Sequence, residues 1–274
     1  MSETNRVDFG FELSEVDPSS TPGFHGSKKD GEKALADEAK ELSDQQERLF
    51  AASKGGSKRS VLLVLQAMDT AGKGGIVRHV VGQVDPQGTS LHAFKAPTEE
   101  ERAHDFLWRV ERQLPQPGMI GVFDRSHYED VLIGRVRQLA PAAVIEERYE
   151  QIVEFERLVA ESGTAIIKVM LHISREEQGE RLLERLDRPD KHWKFNPGDI
   201  DERQYWDAYM EAYQIALTRT STEQAPWHVI PANRKWYARL AVQRLLREAL
   251  KGIDPQWPAA DFDVDFEKAR LAAS

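Results

Sequence analysis

A chain of 274 residues, 40% of them apolar, is long enough for one large α/β domain and too short for two equal ones. Its net charge of −9 weighs against a general nucleic-acid binder, so any polyanion must meet a local basic patch. With no cysteine there is no disulfide framework, no Cys-based metal site and no cysteine nucleophile, and no apolar run approaches the roughly 20 residues of a membrane span.

Residues 1–33 mix Ser, Gly, Pro and both charges without periodicity, and are expected to form an extended or disordered arm. The opening MSETNRVDFGFELSEVD lacks the apolar centre of a signal peptide, so a cytoplasmic protein is expected, with no membrane partner. Leu35, Leu42 and Leu49 share one face of a helix predicted over 34–52, at the start of a domain spanning 34–252. A first strand follows at Val61–Leu65 and a second at 90–96. Thr98 and Glu101 then form a capping box for a helix reaching about Gln113. "MIGVFD" at 119–124 is a third strand, trailed by a helix from Ser126 and another over roughly 143–161. "TAIIKVMLHI" at 164–173 is the fourth, with Ser174 and Glu177 capping the next helix. "WHVIPA" at 227–232 is the fifth, before a helix from about Asn233 to Leu250 and a tail over 253–274. Short apolar strands alternating with helices predict a five-stranded parallel sheet covered on both faces.

Such sheets bind ligands beyond the carboxyl edge of their strands, and three segments fall there. In "VLLVLQAMDTAGKGG", Ala67, Gly72 and Lys73 keep the spacing of a P-loop, with Ala for its first Gly and Gly74 for its Ser/Thr. Small residues from Ala71 through Gly72, Gly74 and Gly75 let backbone N–H groups surround phosphate oxygens, and Lys73 adds a mobile charge. The hydroxyl that usually holds magnesium is missing, and Asp69 is the expected substitute; an acid beside phosphates needs a cation between them. The plain alternative is a glycine-rich turn with an exposed lysine. In the second segment Asp124 ends an apolar strand as a Walker-B carboxylate does, a second metal ligand beside Arg125; a helix N-cap is the simpler reading. Glu129, Arg135 and Arg137 follow on a helix whose spacing does not decide between solvent and phosphate. In the third, Arg181, Arg185 and Arg188 recur at helical spacing, with Lys191 and Lys194 beyond Pro189. That excursion, about 181–205, suits a lid that closes over substrate, and a solvated charged face is its alternative. The histidines form no metal spacing such as H-E-x-x-H.

"MDTAGKGG", "DPQG", "FKAP", "HDFLWR", "FDRSHYEDVL", "RLDRPDKHWKF" and "APWHVIPANRKWYARL", in that order over about residues 35–250, resemble the family-2 polyphosphate kinases. The resemblance implies a three-layer P-loop fold of the thymidylate-kinase type with a helical lid. It implies phosphoryl transfer between inorganic polyphosphate and nucleotides with Mg²⁺ or Mn²⁺. It also implies catalytic roles for Asp69, Lys73, Asp124 and Arg125, and polyphosphate contacts from Arg135 and the lid cations. AMP and ADP are the implied acceptors, GMP and GDP their variants, and a homo-oligomer, tetramer or dimer, the implied assembly. The chain is similar to the branch accepting both mono- and diphosphates, but that branch commonly carries Asn where Asp124 stands, which leaves the acceptor open with AMP favoured. Two rivals remain: an ATP-dependent nucleotide or small-molecule kinase of the same fold, and a non-catalytic phosphate- or nucleotide-sensing module.

Overall fold

The computed structural model describes residues 6–274. Its centre is a parallel sheet of β1 (Ser60–Ala67), β2 (Thr89–Ala93), β3 (Ile120–Asp124), β4 (Thr164–His172) and β5 (Trp227–Pro231), in the order β2-β3-β1-β4-β5. All eight residues of β1 are buried, as a continuous apolar run between two neighbouring strands requires. The register places Leu65 beside Asp124, Ala93 beside Asp124 and Ala67 beside Leu171, so the functional strands end at one edge.

One layer of helices comprises α1 (Lys28–Asp37), α2 (Ala39–Lys54) and α3 (Lys73–His79). Short turns α4 (Glu99–Arg102), α5 (Trp108–Glu111) and α6 (Ile133–Val136) precede the long α7 (Ala142–Glu161). The lid segment comprises α8 (Arg175–Asp187), a 3-10 turn at Pro189–Lys194 and α9 (Gly198–Glu202). It leads to α10 (Trp206–Thr220), which packs with α6 and α7 in the second layer, while α11 (Lys235–Ile253) joins α1, α2 and α3 in the first. Three layers result, as expected. No helix among the described residues is long and apolar enough to cross a membrane.

Several boundaries differ from expectation. The leading helix starts at Lys28, not 34, because Ser27 and Asp30 form a capping box, and it divides at Glu38, whose carboxylate is gripped by Arg244 and Arg247. The described part of the arm is pinned to the domain. Val7 and Leu13 are buried, Val7 N–H donates to Trp227 O at 2.9 Å, and Leu13 N–H donates to Gln214 Oε1 at 2.7 Å. The helix expected over 98–113 is two single turns, because Asp105 accepts from Leu107 N–H in an Asx turn that competes with the helical ladder. The tail carries a further helix, α12 (Val264–Ala272), and the tail residues Trp257, Phe262, Phe266 and Leu271 are exposed.

A charge lies inside the sheet. Lys168, in the middle of β4, is fully buried and donates to Tyr128 Oη at 2.9 Å, Thr220 O at 2.7 Å and Glu156 Oε2 at 2.5 Å. Glu156 also accepts from Tyr128 Oη at 2.9 Å and lies 3.2 Å from His127 Nε2. Burial works against the Glu156 charge, but Lys168 and His127 outweigh it and hold the carboxyl below its ordinary pKa.

Candidate active site

The loop after β1 turns at Thr70, with φ of 66°, and at Gly72, with φ of 119°; the latter suits glycine because a Cβ is rarely tolerated there. Lys73 opens α3, and its Nζ folds back to donate to Ala67 O at 3.2 Å, which lays the ammonium along the loop. Asp124 ends β3; its carbonyl accepts from Phe94 N–H at 2.9 Å, while Arg125 N–H donates to Leu65 O at 3.0 Å. Both neighbouring strands therefore fix the turn that carries Arg125. That turn holds Arg125 at φ of 64°, an uncommon conformation for a residue with a side chain.

Around the loop lies a cavity of about 590 Å³. Its wall holds eleven Lys or Arg residues against three acids, Asp69, Asp124 and Glu184, in a chain whose net charge is −9. The local basic patch demanded by the composition is here. Its floor is the loop from Asp69 to Gly75 with Asp124 and Arg125, and Arg181, Arg185, Arg188, Lys191 and Lys194 form the side made by the lid segment. A further group was not anticipated as a site: Arg78 on α3, Lys95 after β2, and Lys235 and Arg239 on α11, with Lys235 Nζ 3.6 Å from Glu184 of the lid helix. The i, i+4 spacing of Lys235 and Arg239 was the available signal, since it places both on one helix face. The cations crowd one another. Burial and the neighbouring Arg239 and Arg78 lower the pKa of His79, and Arg239 is itself lowered by burial and by Arg78, although Glu32 opposes it. A bound polyanion relieves that repulsion.

Asp69 Oδ1 lies 3.1 Å from Arg125 Nη2, and Glu129 lies 4.0 Å from Arg125 Nε. Burial disfavours the Arg125 charge, yet Glu129, Asp69 and Asp124 more than offset this and hold its pKa above the ordinary value. Burial raises the Glu129 carboxyl, with Arg125 and Lys73 opposing.

The predicted site residues separate into groups. Asp69, Ala71, Gly72, Lys73, Gly74, Gly75, Asp124 and Arg125 meet at the basin floor. Arg185, Arg188 and Lys191 line it while paired: Arg185 with Asp199 at 3.3 Å, Arg188 with Glu184 at 3.0 Å and Asp190 at 2.9 Å, and Lys191 with Asp190 at 3.4 Å. Arg135 is not brought to the basin. It sits on α6 and reaches Glu146 at 2.8 Å and Glu211 at 3.9 Å on the second helical layer, because a 3-10 turn over His127–Asp130 replaces the helix expected from Ser126 and re-aims α6. Arg181 borders the basin, but its donors point to backbone carbonyls and to Glu177 rather than into the open space.

Whether the site suits a divalent cation depends on its donors. Among the described residues no three His, Cys, Asp or Glu side chains cluster as a complete cage. Asp69 and Asp124 do line the same cavity, and two carboxylates without nitrogen or sulfur donors suit a hard cation that takes its remaining ligands from water and phosphate. The residues present therefore fit Mg²⁺ or Mn²⁺ arriving with a phosphorylated substrate.

The family model described as Polyphosphate kinase 2 (PPK2) matches residues 25–258. The AMP/ADP-polyphosphate phosphotransferase of Meiothermus ruber is 49% identical over 248 residues, covering 90% of this chain and 91% of the relative. The ADP-polyphosphate phosphotransferase of Rhodopseudomonas palustris is 42% identical over 270 residues, covering 94% and 90%. Among solved structures, polyphosphate kinase 2 from Arthrobacter aurescens TC1 superimposes with a TM-score of 0.98 at 60% identity, over 99% of this chain and 96% of that one.

Proposed function

The chain belongs to the polyphosphate kinase 2 family, and from that premise we propose that it transfers phosphoryl groups reversibly between inorganic polyphosphate and a nucleoside mono- or diphosphate. The observation that carries the reading is the basin, where eleven cations and three acids surround a phosphate-binding loop in an otherwise acidic chain.

Phosphoryl transfer passes through a loose, in-line transition state, so positioning and charge neutralisation dominate. Loop amides and Lys73 hold phosphates near the transferred group. Asp69 and Asp124 would hold Mg²⁺ or Mn²⁺, which would neutralise charge on the phosphate oxygens. Arg125, already directed across the floor by Asp69, offsets charge on the moving phosphoryl group. Arg185, Arg188 and Lys191 exchange their acidic partners for the donor chain, with Arg78, Lys95, Lys235 and Arg239 continuing the track along the basin wall. No covalent enzyme intermediate is required.

AMP and ADP are both proposed as acceptors, with AMP favoured; the names of the two relatives support a nucleotide acceptor of this size. The exposed apolar side chains of the tail support a homo-oligomer, and the absence of a long apolar helix among the described residues is compatible with a cytoplasmic location. The test is incubation with polyphosphate, Mg²⁺ and AMP, ADP, GMP or GDP in the absence of ATP, following every product. Formation of ADP or ATP supports the reading; no product with any acceptor overturns it.

A further inference from the structure

Three successive carbonyls of the phosphate loop are bound by one helix. Gln178 Nε2 donates to Asp69 O at 3.2 Å, and Arg181 Nη1 donates to Thr70 O and Ala71 O, each at 3.0 Å. Both side chains are buried, Gln178 to 1% exposure and Arg181 to 5%. Arg181 Nη2 donates to Ala232 O at 2.6 Å and Asn233 O at 3.0 Å, in the turn between β5 and α11, and Nε donates to Glu177 Oε1 at 2.7 Å. A guanidinium has five N–H donors, and these five bonds use all of them. Arg181 therefore has none left for a phosphate oxygen.

In a trans peptide the C=O of one residue and the N–H of the next point in opposite directions. With the carbonyls of Asp69 and Ala71 turned toward α8, the amides of Thr70 and Gly72 face away from it. The Ala71 amide closes a turn on Met68 O at 3.3 Å. Gln178 is itself held, its Oε1 accepting from Arg203 Nη1 at 2.9 Å, and Arg203 also donates to Arg175 O at 2.8 Å. The base of the lid helix, the loop and the turn before α11 are thus joined by one connected set of bonds.

We propose that Gln178 and Arg181 are positioning residues that orient the loop's peptide planes for phosphate, and that Arg181 acts on polyphosphate only through the loop. The inference rests on the reading that this loop binds phosphate. It also divides the lid: α8 is rooted in the floor, and closure belongs to the segment beyond Arg188, where Pro189 interrupts the helix.

The test measures calorimetric binding of tripolyphosphate to wild type, Gln178→Met, Arg181→Met and Arg185→Gln, then repeats it with a long polyphosphate at several salt concentrations. Gln178→Met changes no charge, and it should still weaken tripolyphosphate binding about 10–100-fold, the range for loss of an outer partner that orients a ligating group. Arg181→Met should do the same with the slope of log K against log salt unchanged. Arg185→Gln should lower that slope by roughly 0.7–0.9, the value for one lost contact to a polyanion. Equal affinity of Gln178→Met and wild type overturns the proposal, as does a slope loss in Arg181→Met matching that of Arg185→Gln. If Arg181→Met does not fold, Gln178→Met decides alone. Failure of wild type itself to bind tripolyphosphate would instead remove the phosphate-loop reading.

Discussion

Replacing Lys168 with Met while leaving Glu156 in place should destabilise the protein by about 4 kcal/mol. Lys168 is fully buried and makes three hydrogen bonds, so its removal leaves the Glu156 carboxylate without its main counter-charge and Thr220 O without a donor. Breaking one side of a buried ion pair typically costs about 3–5 kcal/mol. An orphaned carbonyl adds about 1–3 kcal/mol, while Tyr128 and His127, which still bond Glu156, offset part of the loss. The paired change Lys168→Met with Glu156→Leu removes both charges and should return to within about 2 kcal/mol of wild type. Urea unfolding followed by tryptophan fluorescence suits the measurement, because the Trp227 ring lies 5.3 Å from Lys168 Nζ. Protein concentration is held constant across variants, since any self-association shifts apparent stability. A loss below about 1 kcal/mol for Lys168→Met, or a double variant as unstable as the two single changes added together, would refute the reasoning.

Lys73→Met should lower the rate of ADP formation from AMP and polyphosphate by about 10²–10⁵ with the urea midpoint unchanged, measured in steady state. Burial depresses His172 to about 4 from an ordinary 6.5, so the unfolded chain binds the extra proton first as pH falls. The stability held above pH 6.5 should therefore decline toward pH 4 by about 3 kcal/mol on this account, and His172→Gln should flatten that part of a urea-midpoint profile. Truncation after Ile253 removes the exposed Trp257, Phe262, Phe266 and Leu271, and should leave circular dichroism of the domain intact while lowering the assembly state in light scattering.

The strands were readable because continuous apolar runs have few other uses in a chain of this length, and all five were located to within a few residues. The floor of the site was readable for a related reason, since small residues around one lysine between a strand and a helix have a geometric purpose. Side-chain direction was not. Spacing puts Arg181, Arg185 and Arg188 on one helix, yet the helix ends at Asp187 with Arg188 extended before Pro189, and Arg181 turns into the backbone because carbonyls from the loop and from residues 232–233 converge on it. Those partners lie more than fifty residues away. Lys168 interrupts an apolar strand, and only the folded placement of Glu156 and Thr220 explains why it is tolerated. Arg135, whose direction the spacing left undecided and whose polyphosphate contact was implied only by the resemblance, follows a 3-10 turn onto α6 and pairs with Glu146 away from the basin.

The left-handed backbone at Arg125 sets two selective pressures against each other. A glycine there would relax the turn by about 1 kcal/mol and remove the guanidinium that Asp69 directs across the floor. The relief is offset by the counter-charge that Asp69 and Glu129 would lose, so screening for heat resistance gains little from that exchange, and screening for turnover would discard it. The turn thus keeps its strained backbone because the same side chain serves both the local charge balance and the chemistry.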